Sequence, residues 1–302
     1  MSARRAFLVA IFLVATVLAL TGCGSGTPSR APSRSPTPSV SPSPTGAPTH
    51  RTPRTPDRAA DAAAAPAPGT VPPSWLGKRP LPRAADGYGV VRATPRALRN
   101  RRFTLPDSVP MLPGTGFASR VEPAPDRVIA RSTWSPRCPV ARDRLSWVRL
   151  TFWGFDQRRH TGELLLNSRV ADDVVAVFRR LYAARFPIEQ MHITTKAELA
   201  AAPTGDGNNT GAFDCRPAVG TTTYSQHAYG LAIDVNPFQN PYVAGRLVLP
   251  ELASAYLDRA RHAPGMIRAG DVVTKAFAGV GWGWGGSWQT KKDYEHFSLN
   301  GR

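Results

Sequence analysis

From residue 24 to residue 73 the chain is built almost wholly of Ser, Thr, Pro, Arg, Ala and Gly, and this stretch decides which parts can fold. It has almost no aliphatic or aromatic side chain to bury, so it cannot offset the entropy of becoming ordered. With prolines recurring from Pro28 to Pro73, residues 24–74 read as an extended, partly polyproline-like, disordered tether. A core must come from the rest of the 302 residues, which is enough for one sizeable domain with attachments.

The residues before the tether have the order of an export signal. Arg4 and Arg5 precede an apolar run over 6–20, of signal-peptide length and too short to span a bilayer comfortably. The run ends in Leu20-Thr21-Gly22-Cys23, which resembles a bacterial lipobox. That resemblance implies a cleaved signal over 1–23 and a lipidated Cys23. The protein is then exported and anchored on the outer face of the cytoplasmic membrane, facing the cell wall. An ordinary secretory signal that happens to contain a Cys is the alternative. Of the three cysteines, Cys138 and Cys215 remain, and two thiols in an exported domain are expected to form a disulfide. Neither has a nearby Cys partner, which argues against a zinc–thiolate site.

The formal charge of +17 raises the question of nucleic acid. Residues 1–118 hold fifteen Lys and Arg against four Asp, so +11 of that excess lies outside the expected folded part. No run of basic residues interleaved with aromatics marks a nucleic-acid footprint. The expectation is a solvated basic tether near anionic lipid or wall polymer, with no nucleic-acid partner, on a monomeric protein.

Residues 75–118 contain apolar side chains without a clear period and read as a poorly structured arm against a domain at 119–302, with order beginning near Val121. The β-branched and aromatic run at 147–153 predicts a strand, and 161–166 its hairpin partner. Apolar residues at helical spacing predict a helix over 170–186, capped by Asn167 or Ser168. Short strands are expected at 188–193, 231–235 and 296–299, and a short helix at 271–280. Residues 202–222 form a long, polar, Gly-rich loop, a length usually associated with function or disorder. Helices and strands mix without a βαβ rhythm. The fold class expected is α+β, one domain with a small antiparallel sheet and flanking helices.

Three segments carry the chemistry, one of them Cys215-Arg216-Pro217 in the long loop. In Ser225-Gln226-His227-Ala228-Tyr229-Gly230-Leu231-Ala232-Ile233-Asp234, the His and the Asp would face opposite sides of an unbroken strand. A turn at Gly230 lets them converge. Asp234 lies among Ala232, Ile233 and Val235, where a lone carboxylate is costly unless a metal or another cation offsets it. A His capping a turn and an Asp opening the Asn236-Pro237 turn is the plainer alternative. The second segment, Asp293-Tyr294-Glu295-His296-Phe297, adds another imidazole. Two His and one carboxylate fill the three protein positions of a catalytic zinc, leaving one for water. Asp293 is the candidate base. Glu295 is disfavoured, because neighbours on an extended segment point to opposite faces.

These segments resemble the M15 metallopeptidases, the D-Ala-D-Ala carboxypeptidase and L-alanyl-D-glutamate endopeptidase group. SQHAYGLAID matches their S-x-H-x-x-G-x-A-x-D motif, and DYEHF their closing acid-x-x-His motif in its Asp form. The resemblance, over roughly 130–300, implies zinc on His227, Asp234 and His296, with Asp293 as general base. It also implies that Arg216 orients the substrate and that Ser225 lines the same pocket. The substrate implied is a peptidoglycan stem peptide, and Asp in place of the commoner Glu leans toward an endopeptidase. A D-alanyl-D-alanine carboxypeptidase and a non-catalytic wall-binding lipoprotein with a structural metal are the alternatives. Arg216 as an ordinary exposed loop arginine also stays open. Trp282, Trp284 and Trp288 are given no role, and His160, His192 and His262 read as surface or packing residues.

Overall fold

The computed structural model describes residues 67–302. Cys23, the signal segment and the tether as far as residue 66 lie outside the described residues. Strand β1 (Ser119–Pro123) pairs antiparallel with β2 (Leu145–Gly154), and helix α1 (Asp126–Arg131) lies between them in sequence. β2 pairs along its whole length with β3 (Arg159–Asn167), from Leu145 opposite Asn167 to Trp153 opposite Arg159. Both strands are buried on both faces, and the two-residue period explains how. Val148, Leu150, Phe152, Leu164 and Leu166 enter one core. Leu145, Trp147 and Leu165 enter another, with Val128 and Ile129 of α1.

The first core is covered by α2 (Ala171–Ala183), which buries Val174, Val177, Phe178 and Leu181 at helical spacing. Asp172 and Asp173 stand in its first turn, where the helix dipole favours negative charge. The strand expected over 188–193 is split. β4 (Pro187–Ile188) pairs in parallel with the end of β2, and β5 (Gln190–Met191) pairs in parallel with β6 (Asn209–Thr210). Between these two lies α3 (Lys196–Ala200), held by a Thr195–Glu198 capping box. The long loop is therefore fastened at β6.

The C-terminal half builds two three-stranded sheets. One has the order β10 (Gly283–Trp284), β12 (His296–Ser298), β7 (Ala232–Asp234); the other β11 (Lys292–Asp293), β8 (Tyr242–Ala244), β9 (Leu247–Leu249). Helix α4 (Val272–Ala278) joins the first core, where Phe277 stacks on Phe297 at 4.0 Å between ring centroids. The domain is α+β, with its strands spread over several small sheets.

Packing begins well before Val121. Leu98 and Phe103 share a third core with Phe238, Leu252, Tyr256 and Met266. Arg101, buried between the Phe103 and Phe238 rings, donates to both Glu189 carboxylate oxygens at 2.7 and 2.6 Å and to the Asp206 carbonyl at 2.8 Å. A 3₁₀ turn at Arg96–Leu98 is its longest regular element. Docked side chains hold this segment, and they leave no period in the sequence.

Candidate active site

The register of β7 against β12 sets His296 directly opposite Asp234. Opposed residues of an antiparallel pair share a face, so the two side chains meet. Asp234 is also clamped from its other edge, exchanging backbone hydrogen bonds with Gly211. His227 arrives from a 3₁₀ turn (Gln226–Tyr229) whose first N–H groups include one donating to the Ser225 hydroxyl. Gly230 ends that turn at φ 67°, in the left-handed region. A Cβ there would meet the backbone nitrogen of Asn167, at the end of β3, at 2.5 Å. This glycine is what lets the chain reverse against β3 and enter β7.

Three side chains converge as a result. His227 Nε2 lies 3.1 Å from His296 Nδ1 and 3.1 Å from Asp234 Oδ2, and His296 Nδ1 lies 3.1 Å from Asp234 Oδ1. The far ring nitrogens point at carbonyl oxygens. His227 Nδ1 is 2.6 Å from the Ala212 carbonyl and His296 Nε2 is 3.4 Å from that of Arg302. Donation to those carbonyls fixes tautomers whose lone pairs face one another across the triad. Two lone pairs and a carboxylate at such range repel unless a cation sits among them, so the donor set fits a metal ion. The imidazoles and their hydrogen bonds hold Asp234 far below the usual carboxylate range despite its burial. Asp234 in turn raises His296, again against burial, so a proton competes with a metal for this site.

Other groups surround the triad in a cleft of about 900 Å³. Asp293 lies in β11 opposite Tyr242, and Gly285 allows close passage, since a Cβ there would meet Asp293 at 2.7 Å. Burial pushes the Asp293 carboxyl up to about 6, with the Asp234 charge adding and the two imidazoles and Arg216 opposing. Arg216 lines the cleft and its Nε is 3.3 Å from Asp214, a carboxyl that its own burial raises. Cys138 and Cys215 are joined as a disulfide across 77 residues, which fixes the backbone next to Arg216. Ser225 lines the same cleft.

Sequence reasoning missed Glu295. The chain bends at Tyr294 and Glu295 between β11 and β12, so strict alternation does not apply, and Asp293, Glu295 and His296 all line the cleft. Burial, then the charges of Asp234 and Asp293, push the Glu295 carboxyl well above its ordinary value. Trp282 packs against Phe277 and Trp284 against Phe297, whereas Trp288 lines the cleft beside His296. Leu76, Gly77, Arg101 and Leu105 also line it, a contribution from the arm that no motif announces.

Residues 219–299 match an M15 peptidase family model described as D-alanyl-D-alanine carboxypeptidase. No curated protein and no solved structure matches the chain. The matched stretch contains His227, Asp234, Asp293 and His296. Through residues 219–299, this chain is therefore similar to the M15 peptidases.

Proposed function

We propose that the protein is a zinc peptidase that hydrolyses a peptide bond in peptidoglycan stem peptides, as a monomer lipid-anchored outside the cytoplasmic membrane and facing the wall. The observation that carries this reading is the convergence of His227 Nε2, Asp234 and His296 Nδ1 in one cleft with a buried Asp293 oxygen that has no hydrogen-bond partner among the described residues. Two imidazoles and one carboxylate suit zinc and leave a position open. When bound, the metal supplies a Lewis acid for the scissile carbonyl and makes a water molecule more acidic.

The protein's own residues do the rest. Asp293 Oδ1 has no hydrogen-bond partner among the described residues, and a carboxyl near 6 suits proton exchange near neutral pH. It takes a proton from the attacking water and delivers it to the departing amine nitrogen. Arg216, braced by Asp214 and by the disulfide next to it, holds a substrate carboxylate. The His227 and His296 rings are kept in register by their carbonyl partners, so the ligand geometry costs little to assemble.

Three variants test this. His227→Ala and His296→Ala are expected to lose both stoichiometric zinc and muropeptide cleavage. Asp293→Ala should keep the metal and lose at least ~10²-fold in turnover. Undiminished cleavage after chelation would overturn the reading. The family model's description favours a second reading, removal of a terminal D-Ala. Mass spectrometry of digested muropeptides separates the two: loss of a single alanine marks the carboxypeptidase, and a cut inside the stem marks the endopeptidase.

A further inference from the structure

The cleft wall beside the triad holds a cation that the proposed chemistry does not use. Lys291 directly precedes β11 and lines the cleft. Its ammonium nitrogen stands 5.0 Å from the centre of the Trp288 ring and 5.6 Å from that of Tyr242, within cation–π range of both. The two rings are themselves fixed. Trp288 Nε1 donates to the Gly301 carbonyl at 2.7 Å, and Tyr242 is paired in its sheet with Asp293 on one side and Leu249 on the other. Trp288 also lies 5.5 Å from the His296 ring, centre to centre, so one indole separates the ammonium from a proposed metal ligand. Alternation along an extended chain places Lys291 on the same side as Asp293, and both line the cleft. Lys292 between them donates instead to the Trp288 carbonyl at 2.5 Å. Arg101 and Arg216 line this cleft too, and each is paired with a carboxylate, Glu189 and Asp214 respectively. Lys291 has no ion pair and no hydrogen bond among the described residues. The ring faces attract the cation but carry no net charge, so its charge stays unbalanced and its N–H donors stay free.

We infer that Lys291 is a specificity-determining residue that receives a carboxylate of the substrate, a second one besides that held by Arg216. This rests on the peptidase reading and narrows it to acidic peptides with two carboxylates near the scissile bond. An ammonium held between two aromatic faces has lost much of a lysine's usual freedom before the substrate arrives. Pairing there costs less entropy than on an open surface. A carboxylate balances the charge and accepts from the free N–H groups, whereas a neutral amide oxygen accepts but leaves the charge. Extended peptide advances about 3.5 Å per residue, so the ring spacings put the recognised carboxylate within about three residues of a bond held at the triad.

The test uses zinc-loaded protein and one stem peptide, unmodified or with each of its carboxylates amidated singly. kcat and KM are measured for wild type, Lys291→Met and Lys291→Arg. Binding is measured by calorimetry on Asp293→Ala protein with and without the same changes. Lys291→Met keeps an apolar stem between the rings and removes the charge, and Lys291→Arg keeps the charge. Loss of a charged hydrogen bond predicts that Lys291→Met binds the unmodified peptide ~10-fold more weakly, seen in KM more than in kcat, with Lys291→Arg close to wild type. Amidating the recognised carboxylate should weaken wild type equally, and Lys291→Met should then add nothing. Amidating the carboxylate held by Arg216 should also weaken binding, but there Lys291→Met should lower it further. The inference is overturned if Lys291→Met binds every peptide as wild type does, or if its loss is the same whichever carboxylate is amidated. Cleavage without that coupling would leave the peptidase reading intact and remove this one. If no peptide is cut but calorimetry still couples Lys291 to one carboxylate, the peptidase reading fails and the carboxylate site stands.

Discussion

At the scale of single residues, Gly230 carries more of the site than its lack of a side chain suggests. Its left-handed backbone and its close approach to Asn167 both forbid a Cβ. Gly230→Ala is expected to cost at least ~2 kcal/mol, because the strain of the left-handed region adds to a backbone clash that cannot relax cheaply. The variant should also displace His227, so bound metal should fall along with the unfolding midpoint. Loss of stability with full metal retention would show that the turn and the ligand are independent. This glycine, His227 and Asp234 were legible in the sequence because the motif writes a local turn and the next strand in one uninterrupted stretch, and His296 was legible from a second short motif. Glu295 was not legible, because its direction depends on a bend between two short strands that no periodicity encodes.

At the scale of elements, β2, β3 and α2 could be read directly. Each is long enough for its period to repeat, and each buries apolar residues on a definite face. Of the two-residue strands, the sequence marks β4 and β5 only as one strand over 188–193 and gives no sign of β6, β10 and β11, since pairing with distant partners makes them strands. One tie between elements depends on pH. His160 on β3 has Nδ1 2.8 Å from Asp107 in the arm and Nε2 3.1 Å from Asp156 in the hairpin turn, with its ring stacked on Phe152. Burial works against the charged ring, but hydrogen bonds and charge from Asp107 and Asp156 prevail, so its pKa is raised above 6.5. A raised folded-state value contributes stability that is complete below 6.5 and fades as pH rises through the folded value. Asp107→Asn keeps an acceptor for the Thr161 N–H while removing the charge. The difference in unfolding midpoint between wild type and Asp107→Asn should therefore be largest near ~pH 5 and shrink toward ~pH 9. A difference that stays constant with pH would mean that the tie does not depend on His160 protonation.

At the scale of the whole folded region, the arm makes the motif-bearing part incomplete by itself. Leu98 and Phe103 supply part of the third core, and Leu76 and Leu105 form part of the cleft wall. Arg101 completes the Glu189 ion pair, whose carboxylate also accepts from Asn208 next to β6. Breaking a buried pair from one side strands the other charge, so Arg101→Ala should cost about 3–5 kcal/mol. A chain beginning at residue 119 loses that guanidinium and exposes Phe238, Leu252, Tyr256 and Met266 to water together. Burial of side chains of this size contributes roughly 1.5–3 kcal/mol each, so the combined loss rivals the whole stability of an ordinary domain. A chain beginning at residue 67 should unfold in one cooperative transition and resist limited proteolysis. One beginning at 119 should be degraded or aggregate, although every metal ligand is present. Adding Glu189→Leu to Arg101→Ala, which removes the stranded charge, should recover part of the stability of the longer chain. A chain from 119 with cooperative unfolding and full metal content would show that the arm only decorates the domain.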